Sequence, residues 1–154
     1  MSNLEAEHAI RNLANRYADA VNRRDADAWA SSWAEDGVWA LPGAEPATGR
    51  DAIVALWLGA MGRFEFVAQL VHNGTVAVSG DTATARFYLT EHLQLAGGDA
   101  GMFNIGMYQD SLVRRDGQWL FAQRNYSVLY NDEGRGDMGG SAFAAPALLA
   151  GAPA

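Results

Sequence analysis

Apolar residues recur along this chain at two different spacings, and the change from one to the other divides it. From about Leu4 to Arg24 they recur at helical intervals. Ile10, Leu13, Ala14, Tyr17 and Val21 make one stripe. Ser2 or Asn3 can cap this segment, with Glu5 in the first turn. A second, shorter helix is expected over about 25–34, carrying Trp29 and Trp33 at i, i+4 as core residues. Residues 37–41 read as a short strand, and 42–48 as a loop with two prolines. Arg50 to Met61 reads as a third helix, ended by Gly62.

Beyond Gly62 the spacing becomes that of strands. Residues 64–79 and 82–94 are rich in β-branched and aromatic side chains and flank Gly80-Asp81, the pattern of a hairpin with a two-residue turn. That turn sets Ser79 opposite Thr82, Val76 opposite Ala85 and His72 opposite Leu89. One face then holds Leu70, His72, Val76, Val78, Ala83, Ala85, Phe87, Leu89, Glu91 and Leu93. It is apolar except for His72 and Glu91, diagonal neighbours with Cα atoms roughly 7–8 Å apart. An imidazole and a carboxylate on an apolar face are either a satisfied structural pair or a general base with an orienting acid. A bulge in either strand would break this register.

Gly97-Gly98 leads to a further strand over 102–114, and Asp116-Gly117 turns it into a last strand over 118–130. Pairing about that turn places Gln109 opposite Arg124 and Met107 opposite Tyr126. The face carrying Met107 and Tyr126 has Gln109 and Arg124 as its polar exceptions. The opposite face, with Tyr108, Leu112, Trp119 and Phe121, is partly apolar too. A sheet apolar on both sides needs two covers, helices on one and a second subunit on the other, so a homo-oligomer is expected. Residues 1–130 read as one domain. Residues 131–154 read as a polar link and an Ala/Gly/Pro-rich tail, whose Phe143, Leu148 and Leu149 suit a lid over an apolar opening.

Composition narrows the chemistry. At 154 residues the chain can bury a real core. Its net charge is −7 and it has no basic run, which disfavours nucleic acid and anionic membranes. It has no cysteine, and all eleven basic residues are arginine, so thiolate and lysine Schiff-base chemistry are excluded. No apolar run approaches the ~20 residues that a membrane helix needs. The N-terminus has no secretion-signal pattern, so a cytoplasmic location is expected. His8, His72 and His92 do not show zinc spacing, and no phosphate loop or nucleophile elbow is present. Neither a metal nor an organic cofactor is expected.

Four stretches in order resemble one family. They are Arg-Tyr-Ala-Asp-Ala-Val-Asn-Arg-Arg-Asp at 16–25, Thr-Gly-Arg-Asp-Ala-Ile at 48–53, His72 followed by Gly-Asp-Thr-Ala-Thr-Ala at 80–85, and Arg-Asp-Gly-Gln-Trp-Leu-Phe at 115–121. Together they resemble the SnoaL-like branch of the nuclear transport factor 2 superfamily. Within it they look most like the small dehydratases and dehydrochlorinases, namely scytalone dehydratase, bile-acid 7α-dehydratase and hexachlorocyclohexane dehydrochlorinase. The resemblance implies an α+β fold, a cone-shaped barrel of curved antiparallel sheet wrapped around N-terminal helices. It also implies proton abstraction without a cofactor, and a homotrimer, otherwise a homodimer. His72 matches the family's histidine, Tyr17 a pocket tyrosine, Arg124 a pocket arginine, and the segment 143–146 a C-terminal closing segment. One departure is plain: the family's aspartate falls on Asn22, and Glu91 is the candidate replacement.

Two functions follow. In the first, the protein is a cofactor-independent lyase or isomerase acting on a small apolar cyclic or aromatic compound. His72 is the base, Glu91 its partner acid, Tyr17 and Asn22 bind an oxygen, and Arg124 holds developing negative charge. Phe87 and Leu89 line the substrate from the first hairpin, and Met107, Gln109 and Tyr126 from the second. Trp39 and Phe143 complete that wall. In the second, the protein is a non-catalytic ligand carrier or accessory subunit of the same fold. Dehydration, retro-aldol cleavage and double-bond migration are not separated by the sequence.

Overall fold

The computed structural model describes residues 2–97, 101–132 and 134, and the backbone of 141–142. Helix α1 spans Asn3–Arg23. Ser2 caps it, its hydroxyl accepting from the Glu5 amide while the Glu5 carboxylate accepts from the Ser2 amide. The predicted stripe is buried, with Ile10, Leu13, Tyr17 and Val21 all inside. Helix α2 is only Ala26–Ala30, and strand β1 begins at Trp33 and runs to Ala40. Trp33 is therefore a strand residue, contrary to the expected longer helix. The Ser31 and Ser32 hydroxyls bond back to the Ala28 and Trp29 carbonyls and end the helix there. Strand β2 (Ala47–Thr48) and helix α3 (Arg50–Met61) follow.

Four long strands complete the domain: β3 (Phe64–Ser79), β4 (Thr82–Leu95), β5 (Gly101–Arg115) and β6 (Gln118–Asn131). The short β7 (Ser141–Ala142) pairs with β6. The curved sheet has the order β2-β1-β6-β5-β4-β3. The fold is thus α+β, as expected. One pairing differs: β1 and β6 run parallel, which a wholly antiparallel sheet does not provide for.

Both turns close as predicted, and both hairpins then depart from the predicted register. In β3 the pairing steps by one between Val71 and Gly74, so Val71 rather than His72 lies opposite Leu89. Gly74 permits this bulge: a Cβ there would meet the Phe87 ring at 2.4 Å and the Arg86 carbonyl at 2.5 Å. In β6 the pairing steps at Ala122, so Arg124 faces Asp110 and Tyr126 faces Tyr108. Each bulge reverses which side chains point inward along the strand beyond it, until a second step at Glu65 in β3 and at Leu129 in β6.

The inner face of the sheet meets α1 across an aromatic core. Trp29 stacks on Trp57 with ring centroids 4.8 Å apart, and Tyr17 packs against Trp29, Tyr108 and Phe121 at 5.3–5.9 Å. Such pairs add about 0.5–1.5 kcal/mol each beyond their buried area. Trp119 and Phe121 belong to this core, at 5% and 0% exposure. The face expected to bind a second subunit is therefore inside the chain. The reason is again the β6 bulge, which parts these two residues from the outward-pointing side chains beyond it.

β3 forms the end of the sheet, and α1 lies along its free edge. The guanidinium of Arg11 donates to the Gly74 carbonyl at 3.1 Å. That of Arg24 donates to the Phe64 carbonyl at 2.7 Å. Backbone groups without a neighbouring strand thereby find partners on the helix.

Candidate functional site

The bulges decide which polar residues come together. His72 sits at the β3 bulge and is exposed. Its Nε2 is 2.9 Å from the Thr90 hydroxyl, and Thr90 belongs to the row facing away from α1. The predicted His72–Glu91 pair is therefore not formed. Gln69 takes the inward place instead, directly opposite Glu91. Met107 and Gln109 also fall on the outer side, in rows with Tyr88 and Arg86. Both had been expected to line the substrate. The β6 bulge splits their predicted face, sending Arg124 and Tyr126 inward.

Glu91 does face inward, half-buried, and three side chains donate to it. The Gln69 amide reaches Oε1 at 2.9 Å, the Tyr126 hydroxyl reaches Oε2 at 2.6 Å, and the Asn104 amide reaches Oε2 at 3.4 Å. Asn131 in turn donates to the Asn104 side-chain Oδ1 at 2.5 Å. Gly106 makes the Tyr126 contact feasible: a Cβ there would lie 2.4 Å from the tyrosine ring. Burial raises the Tyr126 hydroxyl above its ordinary titration range, and the neighbouring Glu91 charge and hydrogen bond raise it further. Tyr126 therefore keeps its proton and remains a donor.

The Gln69 amide also donates to the Tyr108 hydroxyl at 3.1 Å, which links Glu91 to the interior. Burial raises Tyr108 well above the phenol range, and Tyr17 adds to this while Arg124 opposes it. Burial likewise raises Tyr17, against the pull of Arg124. Arg124 is 1% exposed, and its guanidinium donates from Nε and Nη2 to the two oxygens of Asp110, each at 2.8 Å. Three rings surround it, with centroids 3.7 Å (Phe121), 3.8 Å (Tyr108) and 4.3 Å (Tyr17) from Cζ. Burial works against its charge, but the Asp110 carboxylate more than offsets that and the guanidinium keeps its proton. Arg124 is thus committed to Asp110, not open to a ligand.

The remaining expected site residues are structural. Asn22 spends its side chain on the backbone of Gln69, accepting from the amide at 2.6 Å and donating to the carbonyl at 2.9 Å. Trp39, Phe87 and Leu89 are core residues, at 6%, 2% and 0% exposure. Phe143 and the proposed lid lie outside the described residues. Among the described residues no three histidine, aspartate or glutamate side chains are placed to hold a metal ion.

A cleft of about 630 Å³ opens at the ends of β3, β4 and β5, lined by Phe66, Leu93, Met102, Phe103 and Asp132 among others. Leu93 and Met102 are the inner-face pair next along the sheet from Glu91 and Asn104. Glu91 itself does not line this cleft. The carboxylate keeps a lone pair of Oε1 beyond the one that accepts from Gln69.

The model of the SnoaL-like domain matches residues 2–125. The chain belongs to the SnoaL-like family. Among solved structures it is similar to a candidate scytalone dehydratase from Novosphingobium aromaticivorans, 23% identical over 85% of this chain and 89% of that one, with a TM-score of 0.79. It is also similar to hexachlorocyclohexane dehydrochlorinase from Novosphingobium barchaimii, 23% identical over 94% and 97%, with a TM-score of 0.80. A third is a nuclear transport factor 2-like protein with a cystatin-like fold from Novosphingobium aromaticivorans. It is 30% identical over 82% and 83%, with a TM-score of 0.65. At the first two identities the likeness carries the fold. A search of curated proteins gives no significant sequence match.

Of the inner polar set, Gln69, Asn104, Tyr108 and Asp110 were not anticipated. Gly74, a glycine inside an otherwise regular strand, is the signal that marks the β3 bulge and so Gln69. The β6 bulge, at Ala122, has no such marker.

Proposed function

We propose that this SnoaL-like protein is a cofactor-independent lyase or isomerase in which Glu91, not His72, accepts the proton. The observation that carries this reading is the half-buried Glu91 carboxylate. It is held by neutral donors at 2.6 and 2.9 Å, and one lone pair of Oε1 takes no hydrogen bond from them. A carboxylate so placed can take a proton from a carbon beside a carbonyl or a leaving group. Tyr126 supplies a hydrogen bond that adjusts as the charge on Glu91 is lost. The substrate class is a small, largely apolar cyclic compound, since the inner-face pair next to Glu91 is Leu93 and Met102. Water loss, aldehyde loss and double-bond migration all begin with this proton transfer.

Two observations favour a second reading, a non-catalytic ligand-binding protein. The guanidinium suited to a developing negative charge is tied to Asp110, and the imidazole suited to proton transfer is outside the barrel. One experiment separates the two. Solvent deuterium enters the α-position of a cyclic ketone such as 1-indanone when a general base acts on it, and NMR in D₂O follows the exchange. The enzyme reading expects wild-type protein to accelerate exchange and Glu91→Gln to lose about 10²–10⁴ of that acceleration. Exchange equal in the wild type and Glu91→Gln, or absent in both, supports the binding reading.

A further inference from the structure

We infer that Asn22 and Gln69 are positioning residues for Glu91, the Asn22 amide fixing the Gln69 backbone and the Gln69 amide fixing the carboxylate. This rests on the reading of Glu91 as the proton acceptor and extends it to two residues that touch no substrate.

Gln69 stands on an edge strand, so its outward backbone N–H and C=O have no neighbouring strand to meet. A primary amide offers one donor and one acceptor in a plane, as a peptide group does. Asn22 uses both, at 2.9 and 2.6 Å. An aspartate has acceptors only. It could receive the Gln69 N–H, but its second oxygen would oppose the Gln69 carbonyl. The asparagine thus serves a different task from the charged partner of an imidazole, and in this chain the imidazole is elsewhere.

The bracket matters because of what Gln69 does inside. The residue is 3% exposed, and its Nε2 spans Glu91 Oε1 and the Tyr108 hydroxyl. Its Oε1 is buried with no partner among the described residues. Burying a polar atom unpaired is costly, and a leucine at this position would avoid that cost. The use the glutamine makes of its buried amide is to hold the carboxylate. Gln69 lies directly opposite Glu91, with its hydrogen-bonding groups turned outward. In antiparallel sheets such pairs bring side chains closest. A displacement of the Gln69 backbone is therefore passed directly to the carboxylate.

The test uses the full chain labelled with ¹³C-glutamate, the Glu91 carboxyl line being assigned by its loss in Glu91→Gln. Asn22→Ala and Gln69→Leu should each move that line and slow 1-indanone exchange by roughly tenfold to a hundredfold, the scale of a small misplacement of a reacting group. Asn22→Asp, nearly isosteric and the fallback if the alanine variant does not fold, should behave as a loss. Asn22→Ala combined with Gln69→Leu should shift the line no further than Gln69→Leu alone, because the first residue acts through the second. A Glu91 line unmoved by Asn22 replacement, or additive shifts in the double variant, overturns the inference. A purely structural role would lower Tm and leave the line in place. The carboxyl line needs no substrate, so it still decides the matter if wild-type protein shows no exchange and the enzymatic reading fails.

Discussion

Two acidic residues of the inner face, Asp110 and Glu91, meet opposite fates. Asp110 is sealed, bound through both oxygens to Arg124, whose guanidinium lies against three aromatic rings. Burial raises its carboxyl above the ordinary aspartate value, Arg124 pulls it back, and no lone pair faces an opening. Glu91 is half-buried, has no cation among its hydrogen-bond partners, and is held by an amide, a phenol and a second amide. Charge paired and enclosed is charge given over to architecture. Charge held by neutral donors alone is free to change. The same sheet thus carries a polar group that must not react and one placed to react.

That contrast can be broken at several points. Glu91→Gln should produce the largest functional change, a loss of about 10²–10⁴ in 1-indanone exchange with little change in Tm. If it destabilises the fold as much as an Asp110 variant does, the contrast fails. Arg124→Ala should unfold the protein about 3–5 kcal/mol more easily in urea, because it strands a buried carboxylate. Asp110→Leu with Arg124→Met should recover much of that loss, since the two charges leave together. Gly106→Ala should cost about 1–3 kcal/mol by overpacking against Tyr126 and should also slow exchange, because the same tyrosine holds Glu91. His72→Ala should change stability by no more than about 0.5 kcal/mol and leave exchange at the wild-type rate. A large loss of exchange there would return the base to the outer face of the sheet.

The pattern of the chain was enough to read the helices, both turns and the α+β class. Helical stripes and two-residue turns are local features, and Ser2–Glu5, Gly80-Asp81 and Asp116-Gly117 each write theirs in a few residues. What escaped is parity. A single extra residue near His72 and another at Ala122 reversed the facing of the site residues beyond them, so Leu70 and His72 went out and Gln69 came in. Glu91 survived this because it lies on β4, whose pairing with β5 runs without a step. Arg124 was expected inside as a free cation. Its partner Asp110 escaped notice because the uninterrupted register paired Arg124 with Gln109 instead.

The way α1 lies along β3 bears on how the protein behaves at high concentration. An unpaired strand edge is a template on which another chain can add its own strand, the usual start of aggregation and fibre growth. Here Arg24, Asn22 and Arg11 meet that edge at Phe64, Gln69 and Gly74, five residues apart each time. An incoming strand would have to displace three side chains and the helix that bears them. Solubility during folding should therefore depend on α1 docking early, before β3 meets the same edge of another molecule.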